Sequence, residues 1–253
     1  MSARVAWISL TPVKATALHH VDEVELLESG PEGDRRFYFV DERGRLVNNK
    51  DCGPLQLVWA DYDAPADTLT MRFADGRVVA GPVERGEEIE TVFHGRPRLA
   101  RLVHGPWAEA VSQLAGEPVR LVEPAHGAAD RGRGGAATLV GTASLEALAG
   151  TLGVERIDAR RFRMNFGIDG LAPYAEDAWQ GRRVRIGGAV VIPQGHVGRC
   201  VVTTQSPETG RSDLDTRSRP SPRCAAASTP PSRCPSASTP RSPSPAASGS
   251  ATR

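Results

Sequence analysis

The residues able to do chemistry in this 253-residue chain are sparse. Its four cysteines, Cys52, Cys200, Cys224 and Cys234, include no two that stand two to four residues apart, so the spacing of a zinc site is missing. A disulfide framework would need more cysteines in a smaller chain. His19 and His20 are neighbours, and in a strand neighbouring side chains point to opposite faces, so the pair does not chelate one metal. There is no Gly-x-x-x-x-Gly-Lys loop, no His-Glu-x-x-His and no nucleophile elbow. Gly132-Arg133-Gly134-Gly135 reads as plain loop.

Three clusters remain. The first is the turn Pro12-Val13-Lys14 after an apolar run; Lys14 is one of only two lysines, against 29 arginines. The second is Gly33-Asp34-Arg35-Arg36-Phe37, entering a strand. The third runs from Arg161-Phe162-Arg163-Met164-Asn165-Phe166 through Pro173-Tyr174-Ala175-Glu176-Asp177-Ala178-Trp179 to Arg199-Cys200-Val201-Val202, trailing into Pro207-Glu208-Thr209-Gly210. Forked guanidinium groups suit phosphate, lysine supplies a point charge, and thiolate is a soft metal donor. Taken singly, each has a plainer explanation. Arginines at strand ends are commonly just solvated, and a free cysteine is commonly a small buried core residue.

The elements that must position these clusters are mostly strands. Short β-branched or aromatic runs at Val5–Leu10, Val21–Leu27, Phe37–Asp41, Leu55–Tyr62, Thr68–Phe73 and Ile89–Phe93 are separated by turn signals such as Glu42-Arg43-Gly44. Arg160–Asp169, Val184–Ile192 and Val197–Thr203 read as further strands. Such spacing favours a barrel or sandwich over parallel βαβ units. Two helices are predicted: Pro106–Leu114, stopped by Gly116-Glu117-Pro118, and Thr142–Leu152, with Thr142 as its cap. Ala125–Ala136 is a Gly-rich polar stretch suited to a loop or boundary.

With 40% hydrophobic residues the chain can bury a core, and no apolar run approaches the ~20 residues of a membrane span. The start, broken by Arg4, Pro12 and Lys14, lacks a signal-peptide core, so a cytoplasmic setting is expected. Residues 217–253 consist only of Ser, Pro, Ala, Arg, Thr, Cys and Gly, with six arginines and no acid. Without them the body holds 25 basic and 30 acidic residues, about −5, which argues against a nucleic-acid partner. The tail has no residue able to bury much apolar surface and is expected to be disordered.

Taken together and in order, the clusters resemble the MOSC family, the molybdenum-cofactor sulfurase C-terminal-type domain, preceded by its N-terminal β-barrel. The motifs are P-V-K, G-D-R with the hairpin Asp41-Glu42-Arg43-Gly44, F-R-x-N, P-Y-A-E-D-x-W, and R-C with a T-x-x-P-x-T-G trailer. The resemblance implies an α+β, mostly β protein: residues 1–120 an N-terminal barrel, 121–216 a MOSC domain lacking its closing segment, and 217–253 a tail. It also implies a molybdenum cofactor, a phosphorylated pterin whose dithiolene holds the metal. Cys200 takes the position of the metal ligand and catalytic thiol, its ionised form favoured by Arg199. Lys14, Arg35 and Arg163 take those of cofactor contacts, and the three are expected to converge. Thr142 and Ser144 lie where the family has a polar loop. Asn165 either donates to the pterin or ties down its own turn. Arg36, Arg161 and Arg182 are left as solvated residues, Asp177 and Trp179 as structural ones, and Cys52 as incidental.

Related reductases remove oxygen from N-hydroxylated small molecules with electrons from a separate protein. The alternatives are a sulfur carrier taking persulfide from a pyridoxal-phosphate-dependent cysteine desulfurase, and a non-catalytic cofactor-binding module. The family is also associated with pyridoxal phosphate. Departures from the pattern are Ala15 for a hydroxyl residue, Gly198 for serine, and Met164 for proline. The match is expected to stop at Thr216, where the Arg/Ser/Pro/Ala run has the composition of GC-rich DNA read out of frame. A basic interaction arm is the alternative.

Overall fold

Two bodies of sheet organise the chain, and the computed structural model describes residues 3–127, 129, 137–214 and 224–228. In chain order the strands begin β1 Arg4–Leu10, β2 His19–Val21, β3 Leu26–Leu27, β4 Gly30–Pro31, β5 Tyr38–Asp41 and β6 Leu46–Val47. Then come β7 Trp59–Asp63, β8 Thr68–Arg72, β9 Val78–Pro82, β10 Glu84–Phe93 and β11 Arg96–His104. Helix α1 spans Trp107–Ala115, followed by β12 Val119–Pro124, β13 Ala137–Gly141 and α2 Thr142–Leu152. The remaining strands are β14 Phe166–Asp169, β15 Val184–Ile186, β16 Ala189–Val197 and β17 Cys224–Ser228.

The first body joins a three-stranded meander, β7-β8-β9, to a five-stranded sheet ordered β10-β11-β12-β5-β6. Both close over one core that holds Phe37, Phe39, Leu55, Leu69, Met71 and Leu121 with Trp107 and Val111 of α1. The indole of Trp107 is fully buried, and its Nε1 donates to the Leu69 carbonyl at 3.0 Å, so the core's largest side chain leaves no polar atom stranded. Gly116, at φ +76°, ends α1 where the sequence places its stop.

The second body is a seven-stranded sheet ordered β15-β16-β17-β13-β14-β1-β2. The parallel pair β13–β14 is bridged by α2, and the other ladders are antiparallel. The first strand of the chain therefore belongs to the sheet built by the second half. Trp7 of β1 lies over Gly167 of β14, where an added Cβ would come within 2.1 Å of the indole. After Leu10 the chain touches the first body at the bridge Val13↔Phe37, returns to the sheet as β2, and joins the first body's own sheet at β5. His19 and His20 do face apart: His19 stacks on Trp59 at 4.0 Å, while His20 meets Trp7 edge-on at 6.3 Å.

Several boundaries differ from the sequence reading. Leu55–Tyr62 is not one strand: Pro54 opens a 3-10 turn over Gly53–Leu57, and pairing starts at Trp59. Arg160–Asp169 likewise begins as a 3-10 turn, Ala159–Phe162, and Val184–Ile192 folds into the β15–β16 hairpin through Gly187-Gly188. Val197–Thr203 ends as a strand at Val197 and coils into a 3-10 turn over Val201–Thr204. Thr142 is not the cap of α2, a position Gly141 holds; its hydroxyl donates to Asp169 instead.

The largest correction concerns the tail. Residues 224–228 form β17, which pairs with β16 from Val197↔Cys224 to Ile192↔Ser228 and with β13 at Ala137↔Ala227 and Thr138↔Ala226. The sheet is thus filled where an open edge was expected. Alanine is depleted in strands, so propensity gives no hint of this. Two flanking backbones with unpaired donors and acceptors supply the reason a side-chain pattern does not. The expected disorder of the rest of the tail, and the loop at Ala125–Ala136, fall mainly outside the described residues.

A candidate anion-binding cavity between the two bodies

Where β1 hands the chain from one sheet to the other, the turn Thr11–Thr16 is locked from inside. The hydroxyls of Thr11 and Thr16, both fully buried, lie 2.7 Å apart, and both are within hydrogen-bond reach of the Val13 carbonyl, so that one donates across the pair and the other to that carbonyl. The Lys14 N–H donates to Phe37 O at 2.8 Å, which fixes the direction in which the lysine leaves the turn. Its ammonium stands 5.4 Å from the centroid of the Phe93 ring.

Arg35 and Arg163 are built alike. Both have left-handed backbone, φ +50° and +54°, an arrangement a bulky residue adopts only where its surroundings hold it. Arg35 Nη2 donates to the Arg163 carbonyl at 2.8 Å, and Arg163 Nη2 donates to the Thr16 carbonyl at 2.6 Å. Three distant motifs are thereby tied head to tail. Asp34 balances the group: it accepts from the Thr11 N–H at 3.0 Å, from Asn165 Nδ2 at 2.9 Å and from Arg35 Nη1.

Asn165 lies beneath this knot rather than on its surface. Its Oδ1 accepts from the Thr138 N–H and hydroxyl, and its Nδ2 donates to Ser9 O and to Asp34. One amide thus joins β1, β13 and the Asp34–Arg35 pair.

A second loop reaches the same place. Asn49 Nδ2 donates to Ala15 O at 2.7 Å, Gln205 Nε2 to Asn49 O at 2.7 Å, and Gln56 Nε2 to Gln205 Oε1 at 3.0 Å. Gly53 and Gly210 pack backbone against backbone, since a Cβ on Gly53 would sit 2.1 Å from Gly210 O. This explains the glycine of the Thr-Gly trailer: it lets the segment after Cys200 press onto the loop carrying Lys50. Arg161 fastens that segment through Thr204 O and the Asp213 carboxylate.

These pieces enclose a cavity of about 350 Å³. Lys14, Arg35, Lys50, Arg161, Arg163 and Arg199 line it, together with Cys200 and His94, and among the described residues no aspartate or glutamate does. Cys200 is exposed and caps the 3-10 turn that follows it; Arg199 lies over the Phe162 ring at 5.0 Å. Cys52, by contrast, is buried under α1, and burial pushes its thiol above the ordinary range. Asp34 and Asp213 pair two of these cations, Arg35 and Arg161, and the cationic side chains gathered on one concave wall still favour an anion there. Among the described residues no cluster of three His, Cys, Asp or Glu side chains stands ready to hold a bare metal ion.

Of the residues singled out from sequence, Lys14, Arg35, Arg163, Arg199 and Cys200 share this wall. Thr142 and Ser144 do not. Ser144 is buried at the start of α2, where its hydroxyl donates to Glu176 and accepts from the Tyr174 N–H. Thr142 lines a separate pocket between α2 and β1. Lys50 and His94 were missed, and Arg161, left as a solvated residue, lines the wall. For Lys50 a signal existed: the chain has two lysines, and both stand in this wall. Gly198, in the same wall, has open space where a Cβ would be, so the family's serine would be accommodated.

The family profile of the MOSC N-terminal beta barrel domain matches residues 2–98, and that of the MOSC domain matches residues 124–230. The chain belongs to the MOSC family. Its MOSC match passes Thr216 and takes in β17, which corrects the expectation that likeness ends at that residue. MOSC domains are associated with molybdenum cofactor binding. No curated protein matches the chain. A solution structure from Bordetella bronchiseptica is similar at 15% identity and a TM-score of 0.30, over 41% of this chain and 89% of that one. Among the described residues no helix is long and apolar enough to cross a membrane.

Proposed function

We propose that this MOSC protein holds the phosphorylated pterin of a molybdenum cofactor in the cationic cavity, with Cys200 as the protein's thiolate to the metal. We further propose that it is an oxidoreductase for N-hydroxylated small molecules. One observation carries the reading: six cationic side chains and an exposed thiol share one cavity wall, to which no aspartate or glutamate contributes among the described residues. The donor set fits the group, because a phosphate needs forked and point-charge cations and molybdenum needs a soft ligand. Bound there, the cofactor would supply two-electron, oxygen-transfer chemistry.

The chain's own residues bind and orient. Lys14, Arg35 and Arg163 present cations from three motifs, and Asp34 and Asn165 hold those motifs in register from below. Lys50 and Arg199 complete the charge. Four scattered cysteines offer no iron–sulfur ligand set, so electrons come from a separate protein.

The test is metal and pterin analysis of the purified protein beside its Cys200→Ser and Cys52→Ser variants. The expected outcome is molybdenum and pterin near one per chain in the wild type and in Cys52→Ser, with lost reductase activity in Cys200→Ser. A Cys200→Ser protein with full activity overturns the ligand assignment. The exposure of Cys200 also suits a sulfur carrier served by a cysteine desulfurase, and a persulfide on Cys200 with no metal would favour that reading.

A further inference from the structure

We propose that His94 is the proton donor of this cavity, passing protons from solvent to the substrate as its N–O bond is broken; this rests on the reductase reading above. The placement is specific. Strands β10 and β11 pair up to Phe93↔Arg96, leaving His94 and Gly95 as a two-residue turn with φ +49° and +78°. Such turns need left-handed backbone at both positions and favour Asn-Gly; histidine is one of the few other residues enriched there. The imidazole is thus carried on a short, stiff hairpin tip and not on a long loop. It is exposed to solvent and also lines the cavity. Its ring meets Phe93 edge-on at 4.8 Å, and that same buried ring carries the Lys14 ammonium. His94 and Lys14 therefore share one platform at the mouth.

The chemistry asks for such a group. Converting an N-hydroxyl compound to the N–H compound and water breaks one N–O bond and consumes two electrons and two protons. The electrons come from the electron-transfer protein; one proton ends on nitrogen and one on the departing oxygen. Among the described lining residues the arginines and the two lysines hold their protons too tightly at neutral pH to give them up. Cys200 is assigned to the metal. Thr138, Thr203, Asn48 and Asn49 are not acids in this range. Only an imidazole both releases and regains a proton near pH 7.

Arg96 and Arg98 lie on the hairpin of His94 itself, and Lys14 from the turn after β1, Lys50 from the loop after β6, and Arg163 and Arg199 line the same cavity. An anion bound among these cations would favour the protonated ring, so arrival of the ligand would load the donor.

The experiment uses the full chain purified with its cofactor, and His94→Gly and His94→Asn variants. Both substitutions tolerate the left-handed turn, so the fold is preserved. Molybdenum and pterin content and the urea midpoint are expected to match the wild type, while kcat falls roughly 100-fold or more with little change in KM. Added imidazole should restore part of the activity of His94→Gly. Independently of turnover, NMR titration of the His94 ring, assigned by its loss in His94→Asn, should shift to higher pH when inorganic phosphate is added. Variants with wild-type kcat and pH profile overturn the proposal. So does lost activity without imidazole rescue, or a ring that ignores phosphate. A wild type that retains neither molybdenum nor pterin overturns the cofactor reading and this one with it, whereas a loaded wild type with silent variants overturns this one alone.

Discussion

Asp34 is 5% exposed and its carboxylate serves three donors, of which Arg35 is itself 3% exposed. Removing one member of a buried ion pair leaves the other charge without compensation, which costs about 3–5 kcal/mol. Asp34→Ala is therefore expected to lower unfolding free energy by about that amount in urea denaturation. A loss under about 1 kcal/mol, the value of an exposed pair, would show that the knot is not held by this charge. At this scale the sequence was informative about cations and thiol, because their motifs are contiguous. It was ambiguous for Asn165, whose role depends on Ser9, Thr138 and Asp34 arriving from three other segments. For Thr142 and Ser144, which lie away from this wall, a polar pair ahead of a helix looks the same whether it serves a ligand or the carboxylates of Asp169 and Glu176.

Strand β17 shows what local pattern omits. Cys-Ala-Ala-Ala-Ser has neither alternation nor β-branching, yet it lies between β13, buried along its length, and β16. Its contribution comes through main-chain pairing on both sides, so deletion should matter although the segment is apolar-poor. Ending the chain at residue 214 is expected to lower the thermal midpoint by several degrees and to promote association through the opened edges, read by unfolding and light scattering. An unchanged midpoint and a monodisperse protein would show that β13 and β16 do not need this partner. Strands were legible to within a few residues at β1 and β8, although β9, β11, β12 and β13 were not read from the sequence at all. Boundaries were lost where a glycine pair or a proline bends the chain, as at Gly187-Gly188 and Pro54.

On the scale of the whole molecule, the segment after Cys200 is strapped to the turn before β14 by two ion pairs, Arg161–Asp213 and Arg160–Glu208, the latter arginine also gripping Asp158. The Arg161 guanidinium holds the Asp213 carboxyl below the usual aspartate range. For Asp158 burial pushes upward, but its bonds to Arg160 outweigh that, and it too is lowered. Carboxyls with depressed folded values stabilise fully above the unfolded aspartate value near 4, and the contribution is lost as pH falls below it. Hydrogen exchange is therefore expected to show residues 201–214 loosening near pH 3 ahead of the β8 core. Because Asp213 is half exposed the effect is modest and weakens with salt. Asp213→Asn should remove most of its acid dependence, and an exchange profile unchanged by the substitution would exclude the strap.

Strand β1 carries one more consequence, for how the protein is made. Its Arg4 bonds to Asp169, 165 residues further on, and β14 is one of its two ladder partners, beside the nearby β2. At a synthesis rate of about 5–20 residues per second, β1 waits roughly 10 to 30 seconds for β14. Throughout that interval Val5, Trp7 and Ile8 have at most the short β1–β2 ladder to join, and the first body can fold around β5 to β12 before β1 is covered on its other side. The nascent chain is thus vulnerable at β1, and a chaperone that shields apolar segments would set the yield of this protein.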